Sequence, residues 1–475
     1  MPILWDLREH GRLARYVLKW LAIGIPVGLV IGSAVALFLW LLDWATNTRY
    51  EQPWLLYLLP VMGLAIGALY HLLGKSVDSG NNLIIEQIHE PNSGVPTRMA
   101  PLILLATVAT HLCGGSAGRE GTAVQMGGSL AATLGRWLRL SASDTRTLLM
   151  AGLAGGFGAV FGTPLTGAIF ALEVLAIGRL NYEALIPCLI ASIVGDWTTA
   201  AWGVPHTHYH IAEFAQLGLT EHVVPLSWLL AGKVAIAAML FGLASVLFSE
   251  LTHGCHRLFK NLVPSPMLRP FVGGLLIIGL VHLLGTRDYL GLGVAAPPDD
   301  PNAVTILSCF RAEGAFAWSW WWKIVFTVVT LSSGFKGGEV TPLFFIGAAL
   351  GNTLALLLGA PIDLFAGLGF VAVFAGATNT PLACTIMAIE LFAPHEPGLL
   401  NAGFIVYVAI ACFLAYLFSG HTGIYLSQLI GSPKAATAGE TAASLREHRE
   451  QRAATSQPRN KQRKREHKNK RQPEL

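Results

Sequence analysis

Residues 114–128 read GGSAGREGTAVQMGG. Here Arg119 and Glu120 sit on a glycine-rich break inside sequence otherwise apolar enough to lie in a bilayer. An acidic side chain at mid-membrane costs about 2.5–3.5 kcal/mol on insertion scales. A glutamate kept there is neutral for part of its working cycle or touches a polar pathway. Glu120 therefore reads as a proton carrier or a gate, with a water-facing loop between two spans as the plain alternative.

The rest of the chain fits that break. Of 475 residues, 53% are hydrophobic and 13% charged, against about 25% charged in soluble domains. The composition is that of an all-α polytopic membrane protein. Apolar segments fall at about 16–44, 53–73, 100–117, 122–139, 147–178, 185–203, 224–248, 270–286, 303–334, 341–376 and 379–419. The first is too long for a removed signal peptide and lacks its cleavage site, so it remains a span. Several others are short or interrupted by Gly and Pro, as helices broken at membrane depth are when they line a cavity. The alternation that barrel strands need is missing. Cys113, Cys188, Cys255, Cys309, Cys384 and Cys412 lack metal spacing and read as small core residues rather than a disulfide framework.

Charge orients the chain. Residues 434–475 carry 12 Lys or Arg against 5 Asp or Glu, and Arg8, Arg12, Arg15 and Lys19 precede the first span. Both ends are therefore expected in the cytoplasm, in a cell (inner) membrane. The domain reading is a membrane unit over 1–432, with halves at about 50–205 and 225–432, and a basic, disordered tail over 433–475 whose first part has helix-forming composition. Topology and anionic lipid account for the tail, so no nucleic-acid partner is expected.

Internal similarity goes further. TPLTGAIFALE at 163–173 returns as TPLACTIMAIE at 380–390. Upstream, Gly118, Glu120, Thr122 and Gly128 match Gly337, Glu339, Thr341 and Gly347 in order and nearly in spacing. Two duplicated halves, each with a glutamate at a broken helix, form the layout of a secondary transporter with its site between the repeats. The chemistry comes from helix starts, whose free N–H groups and partial positive charge receive anions. Four stretches look like such starts: Ser79-Gly80-Asn81-Asn82, 118–122, 337–341 and the 420–425 turn. There Gly80, Gly118 and Gly121 let the backbone approach, and Asn81, Thr122, Thr341 and Tyr425 add neutral donors. A carboxylate such as Glu120 can take the anion's place when ionised and leave it when protonated, which couples the anion to a proton.

These residues resemble the CLC chloride channel and transporter family over about 16–432. GREG at 118–121 is similar to its gating-glutamate motif, AGLAGGFGAVFGTPLTGAIFALE at 151–173 to its following helix pair, and GHTGIYLSQ at 420–428 places Tyr425 on its pore tyrosine. GGEVTP at 337–342 stands where the family has Gly-x-Phe-x-Pro. The resemblance implies a CLC fold of two inverted repeats of broken, tilted helices and a homodimer with one anion pathway per subunit. No enzymatic activity, cofactor or metal is expected. Departures narrow the branch. Asn81 replaces a serine donor, Thr122 the proline after GREG and Val340 the phenylalanine of Gly-x-Phe-x-Pro, while a second exchanger glutamate falls at Val174. Together these are similar to the branch that exports fluoride in exchange for protons, which makes fluoride and protons the expected partners. Strong donors also suit a small, strongly hydrated anion. Chloride/proton exchange and a passive anion channel are the alternatives.

The remaining polar residues have narrower readings. Glu339 is a second proton-transfer group or a structural residue at its helix start. Glu173 and Glu390 are structural helix ends, and Arg119 faces an aqueous vestibule and draws anions in. Asn82 caps its helix or donates to the anion. His206, His208 and His210 read as polar loop before metal ligands, Trp318 and Trp320–Trp322 as an interfacial belt, and His111 and Glu86 as structural. An intramembrane enzyme using Glu120 and His111 is the rival of another class, and it lacks an accompanying nucleophile or metal set.

Overall fold

The computed structural model describes residues 7–91, 94–207, 209, 211, 226–298, 300–392, 402–434 and 444–455. Sixteen α-helices carry them. The first half holds α1 (Leu7–Glu51), α2 (Leu59–Leu73), α3 (Asn81–His89), α4 (Met99–Leu112), α5 (Glu120–Trp137), α6 (Ala142–Phe161), α7 (Pro164–Glu173) and α8 (Leu185–Ala201). The second holds α9 (Trp228–Leu262), α10 (Arg269–Leu284), α11 (Ser319–Ser333), α12 (Val340–Leu358), α13 (Ile362–Thr378), α14 (Pro381–Phe392) and α15 (Ala402–Phe418), followed by α16 (Leu445–Thr455). The pairing of β1 (Ala176–Ile177) with β2 (Leu429–Ile430) is the sheet.

Punctuation in the sequence sets the helix ends. The apolar stretch 147–178 is cut where Gly162 takes a left-handed backbone and Pro164 opens α7; the matching cut before α14 falls at Asn379 and Pro381. At about 1.5 Å per residue, α7 and α14 reach only ~15–18 Å, half a bilayer, whereas α1 at ~68 Å must cross strongly tilted. Among the described residues, five helices are long and apolar enough to cross a membrane, and Leu72, Trp228 and Leu229 on their outer surfaces are largely exposed, as lipid-facing side chains are.

Inside, helices meet through glycine. A Cβ on Gly127 of α5 would lie 2.2 Å from the Gly152 carbonyl of α6, and one on Gly347 of α12 2.0 Å from the Gly369 carbonyl of α13. The two crossings are equivalent, and backbones this close are the membrane form of tight packing. The halves repeat the same scheme: α1 packs on α4, α5, α6 and α8 as α9 packs on α11, α12, α13 and α15. By this packing the first half starts with α1, earlier than residue 50, because α1 is the counterpart of α9.

The halves are inverted. The start of α1 lies on one face, where Tyr16 donates to the Glu183 carbonyl and Lys19 meets Asp144 near the end of α5. The same face holds β1, β2, α16 and the latter part of α9, where Arg449 pairs with Glu250. On the other face Tyr50 reaches Ala295, and Lys233 near the start of α9 reaches the Gly359 carbonyl at the end of α12. So α1 and α9 run in opposite senses, as do α5 and α12.

The first part of the tail forms the helix its composition allows. Residues 445–455 form α16, held by the Arg449–Glu250 pair, an Arg446–Glu86 contact at 3.3 Å and a buried Leu445. Residues 456–475 lie outside the described residues, as do His208 and His210. His206 sits 3.5 Å from Asp196. The six cysteines are free.

Candidate functional site

Two helix starts meet at the centre of the molecule. Gly118 and Gly338 form an isolated antiparallel bridge, each amide donating to the other's carbonyl at 2.6 and 2.7 Å. A Cβ on Gly338 would lie 2.7 Å from the Gly121 amide nitrogen, so only glycine permits this approach. The bridge corrects the repeat alignment by one residue. It equates Gly118 with Gly338, as the glycine crossings equate Gly127 with Gly347. The structural counterpart of Glu120 is thus Val340, and that of Glu339 is Arg119. Identity of letters had favoured the other register. The bridge also uses the Gly118 N–H, which removes it from the anion-binding set.

The α5 start carries Glu120, 1% exposed, and its carboxylate reaches across to the other half. Oε2 accepts from the Thr341 amide at 3.0 Å, and the Thr341 hydroxyl donates at 2.7 Å to Oε1 and 2.6 Å to Oε2. The Arg119 amide also donates to Oε2 at 3.1 Å. Neither α5 nor α12 has a side-chain cap on its own N-cap residue. The negative group therefore sits at the positive end of α12, in a position built for an anion. The Arg119 Nε lies 3.5 Å from Oε1, and the side chain is only 17% exposed. It is tucked beside Glu120 and does not line the vestibule described next, contrary to the expectation that it draws anions in.

Below this pair a vestibule of ≈ 600 Å³ opens toward the face that carries α16. Gly80, Asn81, Asn82, Glu339 and Tyr425 line its inner end, and Lys75, Arg269 and Lys336 its walls. Gly121 stands between vestibule and carboxylate: a Cβ there would lie 3.2 Å from Asn81 Nδ2 and 3.9 Å from Glu339 Oε2. Gly80 needs its φ of +57°, a value that strains residues bearing a side chain. Lys336 binds Asp78 at 2.6 Å, and its ammonium holds the Asp78 carboxyl below the usual carboxylate range.

Other expected residues go elsewhere. The Thr122 hydroxyl is fully buried against Thr107 of α4 at 2.8 Å, leaving only its backbone at the helix start. Helical phase turns it away from the vestibule. Asn82 gives no cap to α3; its Oδ1 accepts from the Ser427 amide, while the Ser427 hydroxyl donates to Glu86 at 2.6 Å. Asn82 and Glu86 thus hold the loop that presents Tyr425. That loop, 420–428, does not start a helix. Val340 is buried at the first position of α12. His111 bridges the Thr107 and Ala117 carbonyls behind the α5 start.

Two features escaped sequence reading. Glu173 accepts from the Leu382 and Ala383 amides at the start of α14, while Glu390 accepts from the Leu165 and Thr166 amides and the Thr166 hydroxyl at the start of α7. Each half caps the other. Behind Thr341, Phe344 stacks on Phe370 at 3.9 Å and tilts against Phe161, a dry aromatic wall. Its signal was there: Phe344 lies one helical turn after Val340 and Thr341.

Residues 62–420 match the voltage-gated chloride channel family. The chain belongs to the voltage-gated chloride channel (CLC) family. A CLC relative from Pseudomonas syringae pv. tomato, named chloride/fluoride channel protein, is 51% identical over 432 residues, 90% of each chain. The crystal structure of a CLC-type fluoride/proton antiporter superposes with a TM-score of 0.77 at 33% identity, covering 86% of this chain and 98% of that one. A slow cyanobacterial Cl−/H+ antiporter shares the fold, with a TM-score of 0.69 at 20% identity. The chain is a CLC anion transporter with several membrane-crossing helices, from a family of transporters and channels rather than enzymes.

Proposed function

We propose that this chain exports fluoride across the cell membrane in exchange for protons, with Glu120 as the protonatable gate. One observation carries the reading: the Glu120 carboxylate occupies the N–H and O–H donors at the start of α12. Ionised, it competes with the anion for them. Protonated, it loses the charge that holds it there and yields the donors to a halide arriving from the vestibule. Thr341 is thus the shared ligand, and the Arg119 amide joins it. Asn81 and Tyr425 hand the anion in from below. Neutral donors let the ion leave, and strong ones replace the tightly held water of fluoride.

The proton side uses different groups. Val174 holds no carboxylate, and neighbouring Glu173 is committed to capping α14. Glu339, at the inner end of the vestibule, is the group placed to carry a proton between bulk water and Glu120. The vestibule and α16 face the cytoplasm, with both chain ends inside. The membrane unit is 1–432 and the tail 433–475, in a homodimer with one pathway per subunit.

The test is reconstitution in liposomes loaded with fluoride or chloride, following the anion with an electrode and pH in parallel. Fluoride efflux with opposed proton movement supports the reading. Chloride efflux at a comparable rate overturns the choice of ion and leaves chloride/proton exchange. Asn81→Ser combined with Val340→Phe lowers fluoride-over-chloride discrimination if these positions select the ion; unchanged selectivity removes them from the site.

A further inference from the structure

A second pocket lies on the face opposite the vestibule, outside everything used above. Arg49, in the last turn of α1, turns inward and is 8% exposed. Its guanidinium packs 4.7 Å from the Tyr50 ring and against the turn at Gly291, where a Cβ would come within 3.0 Å of Nη2. Its Nε is buried without a hydrogen-bond partner, and among the described residues no carboxylate forms an ion pair with it. A buried guanidinium left this way costs several kcal/mol of desolvation with little return. The neighbouring Lys323 does not offset it. That lysine is fully buried too, and donates to the Tyr289 and Gly291 carbonyls. Two basic side chains thus lie in one buried region, and among the described residues neither has a carboxylate bonded to it.

The missing negative charge has a place to sit. Arg49 lines a cavity of ≈ 290 Å³ walled by residues within 285–297 and 300–305, with Arg287 at its rim. Two carboxylates also line it: Asp288, whose Oδ2 accepts from the Val304 amide, and Asp300. An anion is therefore confined to the side of the two arginines. Tyr50 lines the cavity, and Trp54 and Tyr57 in the segment that follows are exposed, aromatic residues of the kind found at a membrane boundary. A guanidinium fork fits the paired oxygens of phosphate better than a spherical halide.

We propose that Arg49 and Arg287 form an anion site for a phosphate group, free or carried by a lipid headgroup, separate from the Glu120 pathway. The occupant neutralises Arg49 and ties the end of α1 to the segment around Arg287.

The experiment uses the full chain in nanodiscs. In discs of a phosphate-free galactolipid, inorganic phosphate is titrated at constant ionic strength set by sodium chloride while Tm is followed; in parallel, discs containing phosphatidylglycerol are measured without phosphate. The expected result is a rise in Tm of several degrees with one of the two. A rise with phosphate assigns a free anion, and a rise with phosphatidylglycerol alone assigns a headgroup. Arg49→Met abolishes the rise. Arg287→Met, at an exposed position that leaves folding intact, moves the titration midpoint to about tenfold higher phosphate, or removes most of the headgroup shift, as loss of one of two charged contacts implies. No rise with either ligand overturns the site, as does an equal rise in wild type and Arg287→Met. If Arg49→Met fails to fold, Arg287→Met decides.

Discussion

Two pairs of carboxylates lie where the duplicated halves meet, and they behave in opposite ways. At the starts of α7 and α14 the symmetry is kept: Glu173 caps one helix and Glu390 the other, each across the interface. At the starts of α5 and α12 it is broken. Glu120 reaches over to Thr341, while its structural counterpart Val340 has nothing to return, and Glu339 lines the vestibule instead. A symmetric contact suits a scaffold, because it holds two equal bodies in one arrangement. A pathway with a direction needs one acid at one end of one helix. On the proposed mechanism, the asymmetry marks the working part.

That contrast is open to attack by mutation. Glu120→Gln is expected to have the largest effect: proton movement coupled to fluoride falls at least about a hundredfold, to background, in the electrode-and-pH assay, because the group no longer changes charge. Thermal unfolding should show the fold intact; coupled transport that survives would break the comparison. Glu173→Ala and Glu390→Ala should do the reverse. Each removes charge-assisted bonds to two amides, at a cost of about 2–4 kcal/mol, read as a similar fall in unfolding temperature, with the fluoride-to-proton ratio unchanged in protein that folds. A changed ratio would make these caps part of the pathway.

The threonines sharpen the point. Thr341→Val keeps the shape and removes the hydroxyl donor, so fluoride flux at low concentration should drop about tenfold, as one lost bond to an anion implies. Thr122→Val should leave flux unchanged and cost only about 1 kcal/mol through the lost bond to Thr107. Equal effects on flux would return Thr122 to the site. The smallest effect belongs to Asp78, 65% exposed in its pair with Lys336. Its folded-state pKa lies below the unfolded value near 3.9, so its contribution is present above that value and lost as pH falls through the folded pKa. Unfolding temperature between pH 5 and 3 should fall less steeply in Lys336→Met, by an amount that shrinks further in high salt.

Much of this was legible in the chain. Glycine beside Glu120, and the doubled TPL-x-x-x-I-x-A-I/L-E motif, announced broken helices in two related halves, since such residues in apolar sequence have few other uses. What stayed hidden depended on three-dimensional phase. Thr122 and Thr341 both follow a glutamate by two, yet the one-residue offset turns one toward α4 and the other toward the carboxylate. The crossed caps join residues more than two hundred positions apart, which no local pattern reports. Composition reports the helix-forming character of α16 but not its docking against Glu86 and Glu250 of the body.

The Gly118–Gly338 bridge has one more consequence. It is made of main chain alone and lies two or three residues ahead of Glu120 and Thr341, so it fixes the spacing of the two helix ends against thermal drift for as long as both positions stay glycine. With the frame pinned there, the proposed trade of a carboxylate for a halide takes only rotation about side-chain bonds. Such rotations are far faster than the rocking of whole bundles, so the ion can change hosts while the backbone around it stands still.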